Sequence, residues 1–570
     1  MKQFQKIGVA AAVASVAAGA VAQVSRTETG DLAIVPYYTV KDGINTGLHI
    51  INTTNSTQVV KVRLRRGTDS KDALDFNLVM SPYDEWTANI GASGDEDQPV
   101  LVTTNDTTCT VPEFPEAGAL MPDTFAADEG YVEVIAMAET TDENQGIAIA
   151  AKHTDGVPAD CDNVRENFYR VVPTSVGSDG VRGVHTSALT SDGGACTAGN
   201  TTTACAVTGA MNSSTYIDSD DNALKVSFML TDANGGLEAG DNAVMVEGFA
   251  QGPMMTNQQP LSFGSDGYLN FDPLNFELPN LAYGSYDSSS TTRQAAQAAV
   301  GVWDPTNGSM WDSLAAALDA DSIMNDWAAF ETADGTVNAD WVVTLPGQYV
   351  MVDPICDVYG EYDQGSGASA VAHCAKTAAV AYQGTAVGGA DQNQLPLLVA
   401  SNADGSSLVT GSNMNLWDRE EDSLLGAEAS GDSTLGFSPG GSSGDPDVNV
   451  YLPNEVNVID FGEEGAASAL VSDLKLTVSP ADADRGWGRF DIEANPRNPT
   501  PQIWGPGART DGDDWIPTDG GVGGSWTAVD YAAHVPVVGF AVWERSFAAQ
   551  AGNYGRIIEH STITSSGSSR

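Results

Sequence analysis

Residues 58–90 read QVVKVRLRRGTDSKDALDFNLVMSPYDEWTANI. Val60, Val62 and Leu64 alternate with Lys61, Arg63 and Arg65, the period of two that gives a strand one buried and one wet face. The pattern breaks at Arg66-Gly67-Thr68-Asp69-Ser70, resumes from Ala73 to Met80, turns at Ser81-Pro82-Tyr83-Asp84 and restarts at Glu85-Trp86-Thr87-Ala88. This is an antiparallel meander, and it predicts one sheet of a β-sandwich. On this reading the cations face solvent, so Lys61, Arg63, Arg65 and Arg66 make a basic patch in a chain that is acidic nearly everywhere else. Either Asp69, Asp72, Asp75 and Asp84 of the same meander balance that patch, or it receives an acidic loop of a neighbouring copy in a head-to-tail contact.

Working outward, residues 32–40 read as a strand whose Pro36 belongs at an edge or a bulge. Residues 47–51 follow after the Asp42-Gly43 turn. Further strands at 100–104, 131–137 and 146–152 complete an N-terminal β-sandwich over residues 23–175. Residues 176–290 are a Gly, Ser, Thr and Asp-rich loop insertion plus strands near 224–230 and 242–249 that return to the first module. A helical insert spans 291–337: segments 294–302 and 311–318 have Ala-rich helical composition, and Asp321 or Ser322 suits the N-cap of a turn over 323–330. Trp303, Trp311, Trp327 and Phe330 in this insert are expected to cover a sheet rather than to form a sugar-stacking platform. Residues 338–570 supply a C-terminal β-sandwich module whose strands are separated by low-complexity loops at 425–447 and 505–527. The fold class is mainly β: two β-sandwich-like modules with a short α-helical insert and long Gly/Ser/Asp-rich loops.

The chain opens Met1-Lys2-Gln3-Phe4-Gln5-Lys6, runs apolar from Ile7 to Ala18 and reaches Ala20-Val21-Ala22 before Gln23. A cationic start, an apolar run shorter than the roughly 20 residues of a membrane span and a small-x-small triplet predict a signal peptide over residues 1–22. No later run is long enough to suggest a transmembrane segment in the mature chain. Export to the cell surface or extracellular space is expected, with the periplasm as second choice.

The 570 residues include 25 Lys and Arg against 76 Asp and Glu. Loss of Lys2 and Lys6 with the leader moves the net charge from −51 to −53. Like-charge repulsion excludes nucleic acid as a partner. A surface this acidic calls for screening by salt, by divalent cations, or by both, and adaptation to a saline habitat explains it as well as calcium binding does. The candidate calcium ligands are Asp511, Asp513 and Asp514, and Asp218, Asp220 and Asp221, because turns of this kind supply the several oxygens calcium needs. No other cofactor is indicated.

Six cysteines in an exported chain predict disulfides. Spacing suggests the pairs Cys109 with Cys161, Cys196 with Cys205, and Cys356 with Cys374.

Catalytic patterns are weak. Gly440-Gly441-Ser442-Ser443-Gly444 has the letters of a nucleophile elbow, but that motif needs a strand entering the turn and a helix leaving it, and here it stands in a Gly/Ser loop. No second motif places a Ser-His-Asp set among the six histidines. Trp417-Asp418-Arg419-Glu420 and Trp487-Gly488-Arg489 set scarce arginines beside tryptophan, which predicts buried Arg–carboxylate pairs under an indole lid.

Taken together, Val35-Pro36-Tyr37-Tyr38, Asn52-Thr53, Val60-Lys61-Val62-Arg63, Leu74-Asp75-Phe76-Asn77, Ser81-Pro82-Tyr83-Asp84 with Trp86, Asp340-Trp341-Val342-Val343 with Leu345-Pro346, Trp417-Asp418-Arg419-Glu420, Asn454-Glu455-Val456-Asn457, Gly486-Trp487, Pro536-Val537-Val538-Gly539-Phe540 and Asn553-Tyr554-Gly555 form an ordered set. In this order the chain resembles a family of uncharacterised exported proteins of Gram-negative bacteria. It departs from that family after Leu345-Pro346, where Gly347-Gln348 stands in place of a basic residue. The resemblance implies export and a surface or periplasmic location, and it implies no reaction. The expected function is therefore a non-enzymatic cell-envelope or extracellular structural protein that assembles with copies of itself or with other envelope components. The alternative is a secreted polysaccharide- or lipid-binding protein or hydrolase.

Overall fold

A computed structural model describes residues 22–249, 310–347, 409–420, 450–494 and 536–564, apart from shorter gaps of which the widest is 183–215, together with residues 279 and 281. The described chain is mainly β, built of antiparallel sheets with three short helices.

Two sheets make the N-terminal body. The central sheet runs in the order Gln23–Val24, Val244–Glu247, Leu32–Thr39, Glu129–Thr140, Gln58–Arg66, Asp72–Met80, Cys109–Val111, with Tyr216–Ile217 beside Glu129–Thr140. The second runs Glu238–Asn242, Leu224–Asp232, Ile44–Asn52, Glu85–Ala92, Val100–Thr103, Ala119–Leu120. Strand Ile44–Asn52 buries every other residue, as an outer sheet should. Strand Leu32–Thr39 is buried throughout, so the central sheet is covered on both faces. Phe76 meets Trp86 at 5.5 Å between ring centroids, joining the two inner faces. Pro36 stands inside the central sheet at a bulge: the register of Leu32–Thr39 against Glu129–Thr140 shifts between Gly130 and Val132, opposite Pro36 and Tyr37. The bulge tolerates a residue without an N–H, as expected.

In the C-terminal body, strand Ser322–Thr332 passes from one sheet face to another. Its first part pairs with Arg485–Ala494 and with Ser561–Ile563. Its last residues turn into a hairpin with Gly335–Thr344, which in turn lies between Val456–Asp460 and Val538–Arg545. Strands that change sheet in this way close the corners of sandwiches. Trp327, Trp341, Phe461 and His560 fill the space between the faces: Trp341 lies 5.1 Å from Phe461 and 5.2 Å from His560, and Trp327 stacks at 5.8 Å from Phe461.

The two bodies share one hydrophobic core. Phe228 of the second sheet meets Phe540 at 5.6 Å. Thr344 Oγ1 donates to the Pro36 carbonyl at 2.6 Å, and the Val456 N–H donates to the Gly67 carbonyl at 2.8 Å.

Three expectations are overturned. Glu85–Ala92 does not continue the meander in one sheet: it pairs with Ile44–Asn52 and Val100–Thr103, while Asp72–Met80 pairs with Cys109–Val111, because the turn over residues 81–84 carries the chain across to the facing sheet. Residues 323–330 are strand, not a helical turn, because ladders on both sides satisfy their backbone groups and override local composition. Helix Met310–Leu318 ends before them, and segment 294–302 lies outside the described residues. Conversely, Gly146–Ala151 is helix, not strand. A short apolar run has no periodicity to decide the question, and its alanines favour the helix.

Candidate functional site

The stretch that defines the sandwich also carries its most concentrated charge, and the structure reverses the face on which that charge lies. Lys61, Arg63 and Arg65 are fully buried. The alternation of the sequence is real, since Val62 is paired with Phe76 toward the second sheet. Its other face, however, is enclosed as well. Lys61 and Asp75 form an ion pair. Arg65 Nε lies 3.4 Å from Glu133 Oε2. Tyr131 donates to Glu133 at 3.1 Å and to Glu455 of the C-terminal body at 3.3 Å. Cross-strand register explains the grouping: Arg65 stands beside Tyr131, and Arg63 beside both Glu133 and Asp75. The basic patch expected at Lys61, Arg63 and Arg65 is therefore no surface for another copy of the chain. Alternation detects two different environments, and a charged layer enclosed by a second module gives the same pattern as a wet face. Arg66, at the strand end, is half-buried.

Around Ser81-Pro82-Tyr83-Asp84 the chain brings together a serine, a histidine and an aspartate that sequence reasoning had not assembled. Ser81 Oγ lies 3.1 Å from His153 Nδ1, and Asp84 Oδ2 lies 3.5 Å from the same nitrogen. A nucleophile relay needs serine and carboxylate on opposite ring nitrogens, so this geometry is that of a staple. Asp84 also accepts from the Ser81 N–H at 3.1 Å and from Thr108 Oγ1 at 3.4 Å. Burial pushes its carboxyl up, against the pull of His153. Asn52 secures the same turn by donating to the carbonyls of Ser56 and Ser81, both at 2.8 Å. The residues at Asn52 and in the 81–84 turn thus have a packing role that accounts for their chemistry.

Of the expected metal ligands, Asp511, Asp513 and Asp514 lie outside the described residues. Asp218, Asp220 and Asp221 are exposed. Asp220 accepts the Asn222 N–H at 2.9 Å, and burial with Asp220 and Glu247 nearby pushes the Asp221 carboxyl up. Among the described residues, no three His, Cys, Asp or Glu side chains are placed to hold a metal ion. Cys109 and Cys161 form a disulfide. The pairs Cys196 with Cys205 and Cys356 with Cys374, and the Gly440–Gly444 motif, lie outside the described residues.

A second buried acidic group stands in the C-terminal body. Asp340 pairs across the ladder with Asp460. Its Oδ2 accepts from Ser468 Oγ and from the Leu470 N–H, each at 2.7 Å, while Asp460 is bound by Lys475 Nζ at 2.6 Å. Burial, and after it the Asp460 charge, push the Asp340 carboxyl up to about 7. His560 donates from Nε2 to the Val342 carbonyl at 3.0 Å. Asn325 Nδ2 lies 3.0 Å from its Nδ1, which makes Nδ1 the acceptor of a neutral ring. Burial brings that ring down to about 4.

At the junction of the two bodies is a cleft of about 160 Å³ lined by Glu28, Phe228, Asp241, Asn242, Phe540 and Glu559 among others. Small-molecule pockets run from about 300 Å³ upward. Glu28 is already engaged by Lys225 at 3.2 Å and Asn242 at 3.1 Å. The cleft is a packing seam.

No family model, curated protein or solved structure matches this chain. No helix among the described residues is long and apolar enough to cross a membrane.

Proposed function

We propose that the chain is an exported, non-enzymatic structural protein of the cell envelope or extracellular surface; the resemblance of its ordered motifs supports the export and the location. One observation carries the reading: Lys41 and Glu129 of the N-terminal body tie it to the C-terminal body. Lys41 binds Asp473 at 2.6 Å and Asp128 at 2.9 Å. Glu129 accepts from Tyr37 at 2.8 Å, from Ser472 at 2.7 Å and from the Asp473 N–H at 2.8 Å. Domains that must move against each other during a catalytic cycle meet through looser, more polar surfaces. Here a shared core and the contacts of Lys41 and Glu129 hold them, which suits a rigid structural unit.

With Lys61, Arg63 and Arg65 inside, copies of the chain meet through acidic surfaces. Assembly then depends on screening by salt or by divalent cations such as calcium. The test is cell fractionation with sedimentation of the purified mature protein in low salt, high salt and millimolar calcium. Surface localisation with association in salt or calcium supports the reading. A monomer under all three conditions, or retention in the cytoplasm, refutes it.

A further inference from the structure

The outer face of the C-terminal body carries an aromatic plate. Trp417 of strand Val409–Asp418 and Trp487 of strand Arg485–Ala494 are cross-strand partners, stacked at 4.1 Å with 14° between their planes. Trp487 is 40% exposed. The expectation of arginine–carboxylate pairs buried under an indole lid is reversed here, because the indole lies outermost and Arg489, paired with Asp491 at 2.6 Å, has a side chain 41% exposed.

The plate is held from beneath. Gly486 and Gly488 flank Trp487 on the inner face, where a Cβ on Gly486 would strike the Trp417 carbonyl and one on Gly488 would meet Leu416 at 2.7 Å and Trp341 at 3.0 Å. The buried Trp327 donates its indole N–H to the Trp487 carbonyl at 3.2 Å, and Trp341 donates its own to the Asp326 carbonyl at 2.9 Å. One core tryptophan therefore fixes the backbone that presents Trp487 and a second fixes the strand beside it, and little ordering remains for binding to supply.

Polar groups surround the plate on the same face. Register places Asp326 beside Trp487, and Asn415 and Met324 beside Arg489, about 7 Å along the strands from the indoles. The side chains of Asn415 and Asp326 and the two indole N–H groups have no hydrogen-bond partner among the described residues, and Arg489 uses only Nε on Asp491. Stacking occupies the facing sides of the two indoles and leaves the side of Trp487 that is turned away from Trp417, toward Asp326; an apolar ring face bordered by unused amide, guanidinium and carboxylate groups matches a ring with one C–H face and a rim of hydroxyls. Arg489 against Asp326 and Asp491 leaves the site with a small negative balance, and the whole chain, at −51, repels polyanions.

We propose that this face binds a neutral hexopyranose unit of a polysaccharide, the free side of the Trp487 indole, backed by Trp417, stacking on the sugar ring and Asn415, Arg489 and Asp326 bonding its hydroxyls. The site stands whether or not the protein assembles with itself. The experiment titrates the full mature protein with cellohexaose, maltohexaose, chitohexaose and, for contrast, polygalacturonate, reading tryptophan fluorescence and calorimetric heat. At least one neutral oligosaccharide should bind. Trp487→Ala should weaken it at least tenfold and Arg489→Ala severalfold, with unchanged circular dichroism. Tyr554→Ala, which removes an exposed aromatic elsewhere, should have no effect. Absence of binding to all three neutral sugars, preference for the polyanion, binding indifferent to Trp487→Ala, or a change of oligomeric state in that variant without a change in sugar affinity would each overturn the proposal.

Discussion

Lys61 and Asp75 form an ion pair whose two side chains are almost wholly withdrawn from solvent. The pair lies in the interior of the central sheet, beside Arg63 and Arg65, which are buried with it. Taking charges out of water is costly, and their attraction offsets that cost only while every partner stays in place. Lys61→Ala should therefore lower the unfolding free energy by about 3–5 kcal/mol. A Lys61→Met, Asp75→Leu double variant should lose less than the two single changes combined. Urea unfolding of the four proteins of this cycle decides the point. Arg63→Glu and Arg65→Glu should prevent folding altogether, a different outcome from the loss of assembly that a surface patch would give.

Glu129 is the corresponding contact between the bodies. Burial pushes its carboxyl up, and the hydroxyls of Ser472 and Tyr37 and the Asp473 N–H hold it down. Glu129→Ala leaves the buried Tyr37 hydroxyl without an acceptor, at a cost of about 1–3 kcal/mol, and frees two part-buried donors, Ser472 Oγ and the Asp473 N–H, at a smaller one. Glu129→Gln keeps an acceptor and should stay within about 1 kcal/mol of the parent. Limited proteolysis should cut Glu129→Ala faster than Glu129→Gln.

Two buried groups in the C-terminal body impose opposite limits on pH. Asp340, raised from 3.8 to about 7, holds in the folded state a proton that the unfolded chain gives up. Its contribution is present below about pH 4 and is lost as pH rises through 7. His560, lowered from 6.5 to about 4, refuses in the folded state a proton that the unfolded chain accepts. Its contribution is present above pH 6.5 and is lost as pH falls toward 4. The melting temperature followed from pH 4 to 9 should reflect both. Asp340→Asn should flatten the alkaline limb and His560→Gln the acid limb, and a profile unchanged by either substitution would refute the assignment.

Cys109 and Cys161 are 52 residues apart in sequence. Closing a loop of that length restricts the unfolded chain by about 4 kcal/mol on chain-entropy grounds. Cys109→Ser with Cys161→Ser should lower the denaturant midpoint accordingly. Dithiothreitol should lower the midpoint of the parent protein by at least as much, and should lower that of the double variant by less.

Much of the architecture was legible because strands announce themselves by period. The strands Gln58–Arg66, Asp72–Met80 and Glu85–Ala92, the bulge at Pro36 and the mainly β class follow from alternation, proline and turn residues; that the third of these strands crosses to the facing sheet left no mark in the period. The other errors fell where composition was the only guide. Residues 146–151 lack a period, and residues 323–330 have Ile323 and Trp327 at helical spacing although they lie in strand Ser322–Thr332. The grouping of Ser81, Asp84 and His153 left no local signal, since His153 is 72 residues from Ser81. The plate of Trp417 and Trp487 was equally hidden: the two residues are 70 apart in the chain, and only strand pairing brings their rings into contact.

The sequence by itself determined that Val60, Val62 and Leu64 share one face of a strand and Lys61, Arg63 and Arg65 the other, because side chains alternate across any strand. Only the tertiary structure decided what that second face meets. Periodicity separates two environments without saying which is wet, and a second module carrying Glu455 reaches Tyr131 beside the charged face. The same distinction governs the C-terminal body. Its tryptophans were countable in advance, but whether each entered the core, as Trp327 and Trp341 did, or stayed outside, as Trp487 did, depended on which strand lay beside it and which face that strand turned inward.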